Sequence, residues 1–331
     1  MDLMTIKSQR TKLVCGLLIF AWIAESPAQG VAPKVTLSPE RKQKVEYQKT
    51  ATFNCTFSGN PTPDISWSFK NSSLSSSSRH NISTTGNVSI LILKNLNRDD
   101  SGNYECRANN SQGNHSNTSE LIVLSPPDAP TNLSLLNRTA NSIDIRWNEG
   151  SFDGNSPVQN FNATIFRDGN PNGCIASPSN YNTSSIVSNP QASFSGLNPY
   201  TTYKFTVCSI NSIGETCTDG SFSLITLEDV PGVPINVSLI PILSTQLEVS
   251  WEIPCDQNGI ILSYYITWRI VRNDTNHIVD GKLETAKEEV DTKSFIISNL
   301  EPHSEYNVTV NAVNGAGNGS SVTKTARTKE H

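Results

Sequence analysis

The sequence has no basic excess. Its 25 lysines and arginines stand against 30 aspartates and glutamates, a formal net charge of −5, and affinity for a phosphate backbone needs a concentrated basic face. The longest basic cluster, Arg41, Lys42 and Lys44, is short and reads as a solvated strand edge or loop. No nucleic-acid partner is expected. Helical periodicity is almost absent. Beyond residue 28 no stretch is apolar enough to span a bilayer, and the polar end "TARTKEH" has no hydrophobic tail of the kind that signals a lipid anchor. Zinc spacings are missing, because His80, His115, His277, His303 and His331 fall singly on expected loops or ends. "GAGNGS" at 315–320 has phosphate-loop-like glycines, but it sits in an expected hairpin with no following helix. "RNDTN" and "DQNG" lack the dense carboxylates of a calcium loop. No catalytic residue, metal ligand set or cofactor is expected.

What is present begins with a leader. Lys7, Arg10 and Lys12 precede the apolar run "LVCGLLIFAWIA", and "ESPAQG" follows with small residues suited to cleavage after Ala28. This is the three-part plan of a secretory signal peptide over residues 1–28, and the run is too short to span a membrane comfortably. The product is expected to be exported, either secreted or at the cell surface as part of a longer membrane protein. Six cysteines remain outside the leader: Cys55, Cys106, Cys174, Cys208, Cys217 and Cys255. An even set in an exported chain argues for disulfides. Glycosylation sequons begin at Asn54, Asn71, Asn81, Asn87, Asn109, Asn114, Asn117, Asn132, Asn137, Asn162, Asn182, Asn236, Asn273, Asn307 and Asn318. Together with an export signal they predict a heavily glycosylated surface. Glycans are bulky and hydrated, so they exclude partners from the faces they cover.

Short alternating runs fill the rest. "TATFNCTFS", "DISWSFK", "VSILILKNL", "SIDIRWN", "YKFTVCSI", "QLEVSWEI", "YYITWRIV" and "YNVTVNAV" all read as strands of period two, separated by turn-forming Gly, Pro, Asn and Ser. That spacing predicts an all-β chain of β-sandwiches. Two proline-rich joints, "SPPDAP" at 125–130 and "EDVPGVP" at 228–234, divide it into three units, expected at 32–125, 126–228 and 229–328. The second and third repeat each other. Each has a strand ending in tryptophan (Trp147, Trp251), a loop glycine (Gly154, Gly259), "LNPYTTYKFTV" or "LEPHSEYNVTV", and a closing Asn-x-x-Gly turn.

The stretch "RDDSGNYECRANN", residues 98–110, crowds carboxylates, a tyrosine and a cysteine together like a reactive site. Its spacing says otherwise. Cys55, Trp67 and the series Asp100, Gly102, Tyr104, Cys106 resemble the immunoglobulin superfamily, and the continuation "CRANNSQG" resembles its intermediate set. The resemblance implies a Cys55–Cys106 bridge between two sheets, Trp67 packed on the sulfurs, and Tyr104 bonded back near Asp100 as a tyrosine corner, with Arg79 paired to Asp100. An oxidised sulfur is no nucleophile, and a catalytic cluster needs an activated base within reach.

Units two and three resemble fibronectin type III domains through Leu-x-Pro-x-x-x-Tyr, present as Leu197, Pro199, Tyr203 and as Leu300, Pro302, Tyr306. The resemblance implies cores built on Trp147 with Tyr203 and on Trp251 with Tyr306. Such domains generally fold without cysteine, so the extra four are a departure. Cys208 and Cys217 flank the "NSIG" turn symmetrically, which predicts a bridge across an antiparallel pair contributing roughly 2 kcal/mol. Cys174 and Cys255 would then join, and Cys174 with Cys208 is the alternative. One immunoglobulin-like and two fibronectin-like sandwiches in tandem resemble adhesion-molecule ectodomains. That resemblance implies a non-enzymatic glycoprotein that recognises a protein on a cell surface or matrix, or a second copy of itself, in adhesion or guidance. Its first domain would be the binding end. Two other readings stay open: the ectodomain of a receptor tyrosine phosphatase or kinase, and a soluble decoy or immune-type binder. Arg-Gly-Asp and a Trp-Ser-x-Trp-Ser box, integrin and cytokine-receptor signals respectively, are absent.

Overall fold

The computed structural model describes residues 29–168, 182–289 and 291–330. The leader and Cys174 lie outside these. The regular structure of the described residues is nearly all strand, with one three-residue 3-10 turn at Arg98–Asp100. The strands build six sheets that make three β-sandwiches. The chain divides into two compact units. One holds residues 50–94 and 102–121 with the strand ahead of them, and the other holds 44–49, 95–101 and everything from 122 onward.

The first sandwich uses β1 (Val31–Ser38), β2 (Lys42–Glu46), β3 (Ala51–Asn60), β4 (Asp64–Phe69), β5 (Ser72–Leu74), β6 (His80–Thr85), β7 (Val88–Leu93), β8 (Gly102–Asn110) and β9 (Gly113–Leu124). One sheet runs β1-β3-β7-β6 and the other β2-β9-β8-β4-β5. Alternation decides which side chains meet between them. In β3, Ala51, Phe53, Cys55 and Phe57 are buried while Thr52, Asn54, Thr56 and Ser58 are exposed, as a period of two requires. Val35, Leu37, Leu91, Leu93, Trp67, Tyr104 and Ala108 complete that core. The serine-rich stretch after Asn71 yields only the short β5 at the sheet's edge. His80 and His115, expected on loops or ends, lie within β6 and β9. A histidine on an outward strand position meets no steric bar, and the His115 Nδ1 accepts from the Val35 amide at 3.2 Å.

The second sandwich comprises β10 (Thr131–Arg138), β11 (Ser142–Asn148), β12 (Asn160–Arg167), β13 (Asn182–Val187), β14 (Gln191–Ser195), β15 (Thr202–Ile210), β16 (Glu215–Cys217) and β17 (Ser223–Ile225). Its sheets are β10-β11-β14 and β13-β12-β15-β16, with β17 also on β15. The third comprises β18 (Ile235–Leu243), β19 (Gln246–Glu252), β20 (Ser263–Arg272), β21 (Glu284–Glu289), β22 (Ser294–Ile297), β23 (Glu305–Asn314) and β24 (Gly317–Arg327). It repeats the plan as β18-β19-β22 and β21-β20-β23-β24. The cores correspond. Trp147, Phe161, Tyr203, Phe205 and Val207 fill one, and Trp251, Tyr264, Tyr306, Val308 and Val310 the other.

The Asn-x-x-Gly turns do more than reverse the chain. Asn211, buried, donates its amide to the carbonyl oxygens of Ser125 at 2.8 Å and Asp153 at 2.9 Å, while its oxygen accepts from the amides of Ile213 and Gly214. Asn314 repeats this with Asp229 at 2.7 Å, Gln257 at 3.2 Å, Ala316 and Gly317. One carboxamide thus joins the incoming chain, the loop after the tryptophan strand and the hairpin tip. Gly154 belongs to the same knot: its φ is +80°, and a Cβ there would strike the Ser125 oxygen. Asn211→Ala and Asn314→Ala leave several buried backbone groups unpaired. Each is expected to destabilise its own sandwich by about 2–4 kcal/mol, read as a downward shift of one transition in urea denaturation.

Candidate recognition site

Asp100, Tyr104 and Cys106, the groups that make residues 98–110 look reactive, are held by neighbours within the fold. The 3-10 turn is closed by a capping box: Asn97 Oδ1 accepts from the Asp99 amide at 2.9 Å, and Asp100 Oδ2 accepts from the Asn97 amide at 2.8 Å. Asp100 is buried. Cys106 is bonded to Cys55 across a separation of 51 residues. Trp67 lies opposite Cys106 in the β4–β8 ladder, and its indole nitrogen donates to Ser89 Oγ at 3.0 Å. Tyr104 stacks between Phe53 and Phe69, with ring centroids 5.1 and 4.5 Å away.

In the repeats, the Tyr203 hydroxyl accepts from the Asn198 amide at 2.9 Å and the Tyr306 hydroxyl from the Glu301 amide at 2.8 Å. Sequence reasoning placed both rings on the core face and missed the bond at their tips. The signal was there, since each tyrosine follows its Leu-x-Pro turn at the same distance. Burial raises the Tyr306 hydroxyl pKa above its usual value and does the same to Tyr264, whose oxygen has no partner among the described residues. The indole nitrogens of Trp147 and Trp251 also lack partners there.

Cys208 and Cys217 sit directly opposite each other on β15 and β16 and are bonded. Cys208 belongs to the outward set of β15 by alternation yet is buried, because the bridge closes over it. Glu215 approaches the same two sulfurs, but disulfide sulfurs do not ligate metals as thiolates do. Cys255 lies half-buried in the loop after β19. Of the sequon asparagines, Asn54, Asn71, Asn81, Asn87, Asn109, Asn114, Asn132, Asn137, Asn182, Asn236 and Asn318 are exposed, while Asn117, Asn162, Asn273 and Asn307 are half-buried. Asn307 Oδ1 already accepts from Thr325 and Asn273 Oδ1 from Thr275.

An open groove of about 410 Å³ on the first sandwich is lined by Ser68, Lys70, Asn71, Gly102, Asn103, Glu105 and Thr118. Its lining mixes polar and apolar surface, and two of its residues are joined where Ser68 donates to Glu105 at 3.1 Å. Within the second unit, Arg98 donates to Asp128 at 2.7 Å and lies 4.7 Å from the centre of the Phe152 ring. The Arg98 bond, with a second from Ser151, holds the Asp128 carboxyl below its usual pKa. No helix among the described residues is long and apolar enough to cross a membrane.

Paired antiparallel sheets with a β3–β8 disulfide in one sandwich, and tryptophan–tyrosine cores in two repeats, define a modular protein of tandem β-sandwiches. The particular families follow. An immunoglobulin I-set domain matches residues 33–123, and a fibronectin type III domain matches residues 128–222 and again 231–328. The chain belongs to both families. It is 26% identical over 298 residues, 87% of its length, to cell adhesion molecule Dscam1 of Drosophila melanogaster. It is 32% identical over 250 residues, 73% of its length, to cell adhesion molecule DSCAML1 of Homo sapiens. Tyrosine-protein phosphatase Lar of Drosophila melanogaster is 26% identical over 297 residues, 87% of the chain. The chain spans 14%, 12% and 13% of the lengths of these three relatives.

Two predictions follow from the bonds described. Loop-closure entropy scales with the span bridged, so replacing Cys55 and Cys106 by alanine should cost about 4 kcal/mol, and replacing Cys208 and Cys217 about 2.5 kcal/mol, measured by urea denaturation. For Asp128 the folded pKa lies below the unfolded one. Its contribution is therefore present above the unfolded value near 3.8 and lost as pH falls through the folded value. The pair is partly exposed, so Asp128→Asn should remove no more than about 1 kcal/mol at neutral pH. The same variant should flatten the stability curve below about pH 4.

Proposed function

We propose that the chain is an exported, glycosylated, non-catalytic recognition array. It binds a protein on a cell surface or in the matrix, or a second copy of itself, in adhesion or guidance. The observation that supports this most is the order of modules, one I-set domain followed by two fibronectin type III domains, along which the chain aligns with cell adhesion molecules. The physical means are those of sandwiches in general: loop tips and exposed strand edges whose unpaired backbone groups accept another strand. Leader removal after Ala28 and glycans at the exposed sequons belong to the same reading.

A second reading has its own support. The alignment with the phosphatase Lar covers 87% of the chain, as that with Dscam1 does, so the array also suits the outer part of a receptor enzyme. A transcript continuing past His331 into a membrane span would favour it.

The test is binding of the tagged, secreted chain to cultured cells, with sedimentation to read self-association. Saturable cell binding or concentration-dependent dimers are expected, together with a mass loss on treatment with a peptide N-glycosidase. A chain that neither binds cells nor self-associates overturns the adhesion reading.

A further inference from the structure

The outward face of the β18-β19-β22 sheet departs from the pattern of its own repeat. Inward, Pro241, Leu247 and Ile297 lie in one row, and Leu239, Val249 and Phe295 in the next. Outward, Ile240 lies opposite Glu248, and Glu248 lies opposite Ile296. Leu243 lies opposite Gln246 and so shares that outward face. Ile240, Leu243 and Ile296 are 54%, 52% and 50% exposed. Single exposed aliphatics need no explanation, but adjoining ones on one face do.

The second sandwich gives the comparison. Asp144 stands three residues before Trp147 as Glu248 stands three before Trp251, so the two acids are equivalent. Asp144 lies between Asn137 and Ser193, and Asn137 opens the sequon Asn-Arg-Thr. Directly beside the acid, one repeat sets a glycosylation sequon and a serine and the other sets two isoleucines, although Leu136, two residues past Ser134 as Ile240 is two past Ser238, is 52% exposed in the second sandwich as well. The nearest sequon on that strand, at Asn236, is four residues from Ile240, roughly 13 Å along the strand. Between them Ser238 and Ser250 share a hydrogen bond of 2.8 Å, and Ser294 lies opposite Ser250. These small side chains leave the ground beside the isoleucines open.

Charge selects the occupant. Glu248 is half-buried between the isoleucines and has no hydrogen bond or ion pair among the described residues. Glu252, by contrast, accepts from Asn236 at 2.8 Å. The outward positions of these three strands around Glu248 include no lysine or arginine; the exposed Lys329, whose amide donates to the Leu243 carbonyl, lies at the far edge of the patch from Glu248. A second copy laid on this face about a twofold axis would bring the acids toward one another, which costs stability. We infer that this face docks a different protein, one that presents a lysine or arginine between apolar side chains. The cation would meet Glu248, and the flanking apolar groups would cover Ile240, Leu243 and Ile296. This rests on the reading of the chain as a recognition array and names a surface for it outside the I-set domain.

The test selects a random dodecapeptide library, displayed on phage, against the whole secreted chain. Enriched peptides should carry Lys or Arg flanked by apolar residues and lose about tenfold or more in affinity for Glu248→Lys and for Ile240→Asp. Ile296→Asn completes an Asn-Ile-Ser sequon with Ser298; expressed in glycosylating cells, it should block the same peptides, whereas the sequon-less pair Ile296→Asn with Ser298→Ala should keep part of the binding. Circular dichroism and urea denaturation of each variant check that the sandwich still folds. Peptides without a basic residue, peptides indifferent to all three substitutions, or no enrichment would each overturn the inference. So would dimers of the native chain that Glu248→Lys abolishes. Cell binding that persists unchanged in Ile296→Asn would show the array working through another face, whereas a native chain that binds no cells would remove the reading beneath it.

Discussion

In each fibronectin type III sandwich one buried carboxamide holds three segments that the sheets alone leave loose. An asparagine side chain offers two donors and two lone pairs, and Asn211 and Asn314 use both kinds. Their partners lie 86 and 85 residues away at the incoming chain and two or three residues away at the hairpin tip. The local bonds set the turn, and the distant ones fasten the segment that enters the sandwich. A buried polar group so satisfied rigidifies what surrounds it. The loops at that end therefore behave as parts of the sheet framework rather than as free connections.

This explains which parts of the structure were legible beforehand. Strand faces were, because burial on one side of a pleat writes a period of two directly into residues such as Phe53, Cys55 and Phe57. The family resemblance was, because a disulfide, a tryptophan and a tyrosine must keep fixed spacings to meet between sheets. The reach of Asn211 was not. Its turn partners are local, but Ser125 and Asp153 become neighbours only when the sandwich closes. The tyrosine tips differ: their Leu-x-Pro spacing was visible, but the need of the Asn198 and Glu301 amides, five residues away, for an acceptor is set by the turn geometry.

Outward rows were the least legible. "QLEVSWEI" shows that Leu247 and Val249 point one way and Glu248 the other. It does not show what stands beside Glu248, because Ile240 and Ile296 come from two other strands and are set there by register. A slip of one residue in either outer strand would send its isoleucine to the core side. Register is held by the inward rows, so the core determines the neighbours of a surface residue.

The two repeats then separate what the fold needs from what the surface can vary. Their tryptophans, tyrosines and carboxamide brackets coincide, and each of these faces inward or closes a loop. At the equivalent outward positions the residues are free to differ without disturbing the packing, because alternation isolates one face of a sheet from the other. A polar row with a sequon can therefore be exchanged for an isoleucine–glutamate–isoleucine row at no cost to the core. The exposed apolar area does carry a cost in solubility, and nothing in the sandwich's own packing offsets it. A difference that the fold does not require and that water does not favour is explained by what lies outside the chain.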